Sequence, residues 1–317
     1  MILRGINFGN VFVASGALNF FGNGWRFHKF FKMLFGLNLS GVTFVSKTTT
    51  IDYQKGNMDL DANFQPKSLF PDCIRVYPVK GVVLNSVGLS GPGAEHLLSQ
   101  GLWQKKNNPF LISFMAVSAT KEGRVEEAKR FAQILTRELP DFHTKIGLEL
   151  NISCPNTSHD TSKLIDDALD QLEAFVALGI PVVLKINALT PLDAVMRITG
   201  SGLCDAITVS NTIPWGQLPE KIDWQRIFGK LESPLKHLGG GGLSGYPLLP
   251  VVGSWISEAK RSGLAIPIIG GGGILKEADV NFLHQHGADA IAIGSVIILR
   301  PWRVASIIKR AKQIYDS

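Results

Sequence analysis

The nine residues from Glu149 to Thr157 combine a reactive side chain with hydrogen-bonding amides. They read Glu-Leu-Asn-Ile-Ser-Cys-Pro-Asn-Thr and follow an apolar, strand-like stretch. Pro155 cannot continue a central strand, so Asn151, Cys154 and Asn156 should lie together where the strand ends. A thiolate can act as a base or a nucleophile, and paired carboxamides can bind the edge of a planar amide or imide ring. The stretch predicts a catalytic site; a plain strand-to-loop turn of the same composition is the alternative.

The composition is typical of a globular protein with a large core. The chain has 317 residues, of which 45% are hydrophobic and 18% are charged. No apolar run reaches the roughly 18 residues that span a bilayer, and the first residues lack a signal-peptide pattern. The three cysteines are far apart and match no zinc or iron–sulfur pattern, which favours a reducing compartment and predicts no metal site. We therefore expect a cytoplasmic protein that is not integral to a membrane.

The charge balance favours a small anionic ligand. The formal net charge is +6, but basic residues never exceed two in a row and form no stripe interleaved with aromatic residues. A mildly basic surface around an anion-binding pocket explains this pattern, so we expect no nucleic-acid partner.

The segment from Trp25 to Phe35 predicts a basic helix rich in phenylalanine. Such a helix can bind a membrane surface, but packing against a barrel is the more common role and is the one we expect.

Strand and helix patterns alternate along the chain. Strands are predicted at 11–16, 41–46, 110–116, 146–152, 182–186, 206–210, 266–269 and 290–293. Further helices are predicted at about 93–102, 121–139, 163–178, 191–199, 248–261, 277–285 and 302–315. This alternation predicts an α/β protein, a (β/α)8 TIM barrel that forms one domain over residues 1–317. A hairpin-like lead-in covers Ile2 to Gly9, and long irregular insertions follow the second and sixth strands.

Polar residues and glycines follow most of the predicted strands. The groups are Ala14-Ser15-Gly16, Lys47-Thr48, Asn85 after the first insertion, Asn151 to Asn156, Lys185-Ile186-Asn187, Ser210-Asn211-Thr212, Gly270 to Gly273, and Gly294-Ser295. In a barrel these strand ends meet at one face, which is where active sites of this fold lie.

Glycine runs predict a phosphate cradle at that face. Gly270 to Gly273 and Gly294-Ser295 follow the last two strands, where barrels of this kind usually bind phosphate. Gly239 to Gly245 precedes another helix and is expected to join the cradle. The alternative is that these runs are only flexible loops.

Two lysines, Lys47 and Lys185, end predicted strands, and a buried lysine needs an anion or strong acceptors. One could face a ligand carboxylate, and the other the pyrimidine edge of a flavin. No Rossmann fingerprint follows the first strand, and no Ser-His-Asp pattern or carboxylate pair is evident. The histidines are interpreted as surface residues.

Several motifs together resemble the dihydroorotate dehydrogenases, FMN-dependent (β/α)8 enzymes of pyrimidine synthesis. They are Asn151-Ile152-Ser153-Cys154-Pro155-Asn156, Ser46-Lys47-Thr48 with Gly56-Asn57, Asn85-Ser86-Val87-Gly88-Leu89, Lys185-Ile186-Asn187, Ser210-Asn211-Thr212, Gly242-Leu243-Ser244-Gly245 and Gly294-Ser295. The resemblance extends over nearly the whole chain.

The resemblance implies a role for each matching residue. Cys154 would remove the C5 proton of dihydroorotate while the C6 hydride passes to flavin N5. The substrate would be bound by Lys47, Asn85, Gly88, Leu89, Asn151, Asn156, Asn211 and Thr212. FMN would be bound by Ala14, Ser15, Thr48, Asn85, Asn151, Lys185, Ser210, Gly245, Gly272, Gly273, Gly294 and Ser295, its phosphate by the last four. A cysteine base marks the soluble class, and homodimerism is a family-level expectation.

Departures from the family pattern leave alternatives open. The continuation after Asn156, the segment from Met58 to Val83 and the pair Ser90-Gly91 differ from the usual family pattern. The electron acceptor could therefore be fumarate, or NAD through a partner electron-transfer subunit. The other hypotheses are an FMN enzyme acting on another dihydropyrimidine, free or in tRNA, a non-flavin phosphate-binding barrel enzyme, and a non-catalytic ligand-binding barrel.

Overall fold

A computed structural model describes residues 1–152 and 167–316. Its strands are β1 (Ile2–Leu3), β2 (Ile6–Asn7), β3 (Val11–Val13), β4 (Ile74–Tyr77), β5 (Val82–Asn85), β6 (Phe110–Phe114), β7 (Ile146–Asn151), β8 (Val182–Ile186), β9 (Ala206–Val209), β10 (Ile213–Pro214), β11 (Gly242–Gly245), β12 (Ile268–Gly271) and β13 (Ala290–Ile293). Its α-helices are α1 (Arg26–Phe35), α2 (Ala94–Ser99), α3 (Lys121–Glu138), α4 (Ala168–Glu173), α5 (Leu192–Gly200), α6 (Trp224–Phe228), α7 (Leu248–Arg261), α8 (Glu277–Gln285), α9 (Ser295–Leu299) and α10 (Val304–Tyr315). Short 3-10 helices cover Leu139–Asp141, Val176–Leu178, Lys236–Leu238 and Pro301–Arg303.

The parallel strands form a barrel, as the sequence predicts. Seven strands pair in the order β3-β13-β12-β9-β8-β7-β6. Residues 43–49 connect the two edges of this sheet through single parallel bridges, which pair Thr43 with Phe12, Val45 with Leu111, and Thr49 with Phe114. The predicted second strand is therefore present as isolated bridges and not as a continuous ladder.

The amino end of the barrel is closed by the predicted N-terminal hairpin. Strands β1 and β2 are antiparallel, and Leu3 and Phe8 pack with inward-facing residues of the barrel strands such as Phe12 and Leu111. Alternate residues of each barrel strand face outward, where they pack against the helices in the main core. This apolar plug leaves the opposite end of the barrel as the open face.

The two insertions are more ordered than the sequence predicts. Strands β4 and β5 come from the first insertion, β10 lies in the second and β11 closes it, and together they form an antiparallel sheet in the order β10-β11-β5-β4. Asn85 pairs with Gly242 and Val82 with Gly245 in this sheet. Because the paired residues are far apart in the chain, no local sequence pattern predicts this pairing.

Helix α1 packs less closely against the barrel than we expected. Phe27 and Phe31 are partly buried, but Phe30, Met33 and Leu34 are 52%, 74% and 53% exposed. The interpretation of its phenylalanine stripe as core is therefore only partly correct. None of the helices in the described part of the chain is both long and apolar enough to cross a bilayer.

Among the described residues, His28 contradicts our interpretation of the histidines as surface residues. Its ring is buried, and Nδ1 accepts a hydrogen bond from the backbone N–H of Trp25 at 3.0 Å, at the start of α1. Within the described residues its Nε2 has no hydrogen-bond partner. Burial lowers the pKa of His28 from 6.5 to about 4, so this histidine is neutral in the folded protein at neutral pH.

Protonation of His28 should destabilise the protein in acid. Its folded-state pKa lies below its unfolded value, so stability should fall as the pH drops from 6.5 towards 4. The His28→Asn variant keeps an acceptor at the Nδ1 position but cannot titrate. Its melting temperature should fall less than that of the parent protein between pH 7 and pH 4.5. Equal losses in the two proteins would show that other groups govern acid unfolding.

Candidate functional site

The inward-facing side chains of the barrel change from apolar to polar near its open end. On β6 the inward Leu111 is followed by Ser113, and on β8 Val183 is followed by Lys185. Strand β7 places Glu149 directly opposite Ser113 and Asn151 opposite Lys185. Side chains two residues apart share a face of a strand, so neighbouring strands deliver these groups to one layer.

A continuous set of hydrogen bonds connects this layer. Thr48 Oγ1 lies 2.9 Å from Ser113 Oγ and 3.3 Å from Ser15 Oγ, and it accepts a hydrogen bond from Asn151 Nδ2 at 3.2 Å. Lys185 Nζ donates to Ser15 Oγ at 2.5 Å. The hydroxyl groups therefore connect the segment 43–49 with residues on or just after β3, β6, β7 and β8, which fixes the polar side chains relative to one another.

The polar layer lies at the bottom of a cavity of about 290 Å³. Thirteen of the sequence-predicted residues that line it are Ala14, Ser15, Lys47, Thr48, Asn85, Leu89, Asn151, Lys185, Ser210, Asn211, Thr212, Gly273 and Ser295. Gly88, Gly272 and Gly294 also line it. The structure thus brings predicted residues from most of the chain to one place.

Amide and hydroxyl groups form one side of this cavity. Asn211 Nδ2 donates to Asn151 Oδ1 at 3.2 Å, which holds the two carboxamides side by side. Thr212 Oγ1 is buried and finds no hydrogen-bond partner among residues 1–152 and 167–316. A buried hydroxyl without a partner is unfavourable, so this group is suited to a polar ligand.

Lys47 supplies a buried cation to the cavity wall. Its Nζ donates to the backbone carbonyl of Ser90 at 2.7 Å and lies 4.9 Å from the centre of the Phe20 ring. The carbonyl belongs to the turn that carries Gly88 and Leu89, both with left-handed backbone. This turn therefore holds the ammonium at the cavity wall, where an anionic ligand group could bind it.

Glycines form part of the cavity rim. A Cβ at Gly273 would lie 2.7 Å from the backbone nitrogen of Leu249 and 3.0 Å from the carbonyl oxygen of Gly245. Gly294 approaches Ala14 across the neighbouring strand end, where a Cβ would lie 3.1 Å from that of Ala14. The rim is therefore backbone with little side-chain cover, as an anion cradle requires.

The fold and these contacts agree with a known family. The profile of the family described as dihydroorotate dehydrogenase matches residues 2–314. The chain belongs to the dihydroorotate dehydrogenase family.

Individual relatives support the assignment to the dihydroorotate dehydrogenase family. The "Dihydroorotate dehydrogenase B (NAD(+)), catalytic subunit" of Anoxybacillus flavithermus is 29% identical over 99% of this chain and 90% of the relative. The protein of the same description from Geobacillus sp. WCH70 is 32% identical over 76% of this chain and 73% of the relative. The crystal structure of DHODH from Eimeria tenella in complex with ferulenol superposes with a TM-score of 0.67 and covers 98% of this chain and 82% of that chain. The two sequences are 19% identical, so this comparison shows a similar fold. The expected oxidoreductase class is confirmed.

Four of the sequence-based site predictions differ from the rest in where their residues lie. Cys154 and Asn156 lie outside the described residues. Asn85 does line the cavity, but it lies on β5 of the antiparallel sheet and not at the end of a barrel strand. The alternative of a flexible loop over Gly239 to Gly245 is wrong for Gly242–Gly245, which is strand β11. Gly245 borders Gly273, but it is not among the residues that line the cavity.

Sequence reasoning missed Ser113 and Glu149 as members of this layer. Ser113 Oγ donates to Glu149 Oε1 at 2.8 Å, and Lys185 Nζ lies 3.7 Å from the same oxygen. The available signal was the alternation of β7, because Glu149 occupies an inward position between Gly147 and Asn151. A carboxylate at such a position indicates a partner inside the barrel.

Proposed function

We propose that this chain oxidises (S)-dihydroorotate to orotate with FMN as the hydride acceptor, a step of de novo pyrimidine biosynthesis. Membership of the dihydroorotate dehydrogenase family supports the reaction class. The observation that carries the proposal is one cavity that joins a buried lysine, paired carboxamides, a glycine rim and the Thr212 hydroxyl, which has no hydrogen-bond partner within residues 1–152 and 167–316. These are the groups that a flavin phosphate and a planar, anionic pyrimidine need.

The residues of the cavity fit FMN. The open backbone at Gly272, Gly273 and Gly294, with Ser295, would bind the phosphate, since a Cβ on this rim would meet backbone or neighbouring side chains. Gly245 would support this rim, because its carbonyl oxygen borders Gly273. Lys185 would bind the pyrimidine edge of the ring, beside Ala14, Ser15, Thr48, Asn85, Asn151 and Ser210. When bound, FMN supplies the hydride acceptor of the reaction.

The remaining polar groups fit dihydroorotate. Lys47 would bind the substrate carboxylate, because its buried ammonium lines the cavity beside the turn that carries Gly88 and Leu89. The amides and hydroxyl of Asn85, Asn151, Asn211 and Thr212 would bind the ring, with Asn156, Gly88 and Leu89 completing the substrate site. A ring held by several such bonds cannot rotate, so its reacting carbon atoms keep one orientation.

Cys154 is the proposed base that removes the proton from C5 of the substrate. The chain has two other cysteines, Cys73 and Cys204, and both are buried. Burial raises the pKa of Cys73 to about 11 and that of Cys204 to about 12, so neither provides a thiolate near neutral pH. Alkylation of the folded protein should therefore report on Cys154 alone.

Replacing Cys154 with alanine should slow flavin reduction by dihydroorotate about 10²–10⁴-fold, since a general base contributes that much. The measurement is anaerobic stopped-flow bleaching of flavin absorbance. In the parent protein the rate should rise above neutral pH, towards the thiol pKa of about 8.5, and the alanine variant should lose this rise. Dihydroorotate should also protect the parent protein from iodoacetamide.

Two results would contradict these assignments separately. Unchanged bleaching in Cys154→Ala would remove the cysteine from the chemistry. A bound flavin that dihydroorotate does not reduce in the parent protein would support the cofactor assignment but not the substrate assignment. The substrate would then be sought among other dihydropyrimidines.

Gly273→Ala should weaken FMN binding at least about 10-fold, because the new Cβ displaces the backbone of Leu249 on the phosphate side. Gly263→Ala is the matched control, since Gly263 has a similar left-handed backbone (φ +84° against +88°) but open space around it. It should lower stability by about 1–2 kcal/mol and leave FMN affinity unchanged. Titration of each apoprotein variant with FMN measures the two affinities. Riboflavin lacks the phosphate, so its affinities for the two variants should differ much less. Equal FMN affinity for the two variants would place the phosphate elsewhere.

We also infer a partner electron-transfer subunit that passes electrons to NAD+. The relatives described above are catalytic subunits of NAD+-dependent enzymes by description. The chain alone, reduced by dihydroorotate, should then pass electrons to an artificial dye but not to NAD+. Direct NAD+ reduction by the purified chain would contradict this inference. A homodimeric assembly remains a prediction.

A further inference from the structure

A second part of the first insertion, residues 54–58, holds the turn over residues 86–91 in place. Gln54 and Gly91 exchange two backbone hydrogen bonds of 2.9 Å, which form an isolated antiparallel bridge. Further along, the backbone N–H of Asn57 donates to a carbonyl inside the turn at 2.8 Å. The segment 54–58 therefore contacts the turn 86–91 at more than one point, and the two move as a unit.

The side chain of Ser90 connects the turn 86–91 to this segment. Ser90 Oγ accepts a hydrogen bond from the backbone N–H of Met58 at 3.0 Å and donates to the carbonyl of Val87 at 3.2 Å. The carbonyl of Ser90 accepts the hydrogen bond from Lys47 Nζ at 2.7 Å. Because Ser90 is 1% exposed, water cannot readily replace the bonds of its hydroxyl.

The two backbones touch where Ser90 lies. A Cβ at Gly56 would overlap Ser90 Oγ and lie 2.6 Å from the carbonyl oxygen of Val87. A Cβ at Gly88 would lie 3.3 Å from Gly56 Cα. The turn therefore has no room to move towards the segment, and the Ser90 hydroxyl prevents movement away from it.

Leu89 has a backbone conformation that needs this support. Its φ is 61°, in the left-handed region that residues with a Cβ rarely adopt. Such a conformation persists where the surrounding structure determines it. Leu89 lies inside the loop that the hydrogen bond from Ser90 Oγ to the Val87 carbonyl closes, and it lines the cavity. The hydroxyl therefore acts on a residue of the cavity wall.

We propose that Ser90 is a positioning residue for the substrate: its hydroxyl fixes the turn 86–91, and through it Leu89 and Lys47, at the cavity wall. This inference rests on the proposed binding of dihydroorotate. Ser90-Gly91 is a pair at which the sequence departs from the usual family pattern, so the family motif does not account for this role. A turn that is ordered before the substrate arrives binds it more tightly than one that binding has to order.

Replacing Ser90 with alanine should weaken orotate binding about tenfold, which corresponds to about 1.4 kcal/mol. The change leaves the buried N–H of Met58 without this acceptor and removes the bond that closes the turn. KM for dihydroorotate should rise by a similar factor, while the rate of flavin reduction at saturating substrate should change less than about threefold. FMN affinity should not change. Calorimetric titration of the holoenzyme with orotate and anaerobic stopped-flow absorbance measure these quantities.

Ser233→Ala is the matched control. The Ser233 hydroxyl also accepts a backbone N–H bond, from Leu235 at 3.0 Å, and donates to a carbonyl, that of Gly240 at 2.6 Å. It lies in the second insertion, and Ser233 is not among the residues that line the cavity. Its loss should lower stability and leave orotate affinity unchanged. Equal losses of orotate affinity in the two variants, or equal losses of FMN and orotate affinity in Ser90→Ala, would overturn the proposal.

Hydrogen exchange of the apoprotein tests the support of the turn without flavin or substrate. In Ser90→Ala the amides of residues 54–58 and 86–91 should exchange at least about tenfold faster than in the parent protein, because both segments open more readily. The amides of β9, which lies away from this contact, should exchange at the parent rate. Unchanged exchange in both segments would overturn the proposal.

Gly56→Ala is a second variant that keeps the proposal testable if Ser90→Ala does not fold. Its Cβ would displace the Ser90 hydroxyl, so orotate affinity should fall as in Ser90→Ala. Gly179→Ala is its control, since Gly179 has a similar left-handed backbone (φ +64° against +53°) but open space around it. Parent-like orotate affinity in Gly56→Ala would overturn the proposal. A parent protein that does not bind orotate would reject the proposed function instead, and the exchange experiment would still decide whether Ser90 holds the turn.

Discussion

The site depends on placing hydrogen-bonding and charged side chains inside a barrel whose other layers are apolar. Such groups are stable there only if each finds a partner, and neighbouring strands supply these partners in register. The opposition of Ser113 to Glu149, and of Asn151 to Lys185, is a direct result of parallel pairing. The apolar hairpin that closes the other end leaves this polar layer open to ligands on one side only.

The site also depends on the two insertions, which cover the open end of the barrel. Their strands pair with each other, so Asn85 of the first insertion meets Gly242 at the end of the second. The turn after Asn85 then carries Gly88, Leu89 and the carbonyl that holds Lys47. In this way residues of the first insertion and residues of the barrel strands line the same cavity.

Much of this arrangement could be predicted from the sequence, because a buried parallel strand and an amphipathic helix have local signatures. The bounds of α7 and α8 agree with the prediction, since each helix has a continuous apolar stripe. Pairing of β5 with β11 could not be predicted, because it joins residues about 160 positions apart and neither strand alternates clearly. The exposed face of α1 was misjudged for a related reason: periodicity shows that a stripe exists but not what covers it. The alternation of β7 places Glu149 inward, but it does not identify the partners of Glu149 on the neighbouring strands, which only the register supplies.

The most direct test of the account is a crystal structure of the protein with FMN and orotate together. The account predicts the flavin phosphate at the rim formed by Gly273 and Gly294, the flavin pyrimidine edge on Lys185, and orotate bonded to the Thr212 hydroxyl with its carboxylate towards Lys47. A flavin whose phosphate lies away from that rim, or orotate that leaves Thr212 without a partner, would contradict it.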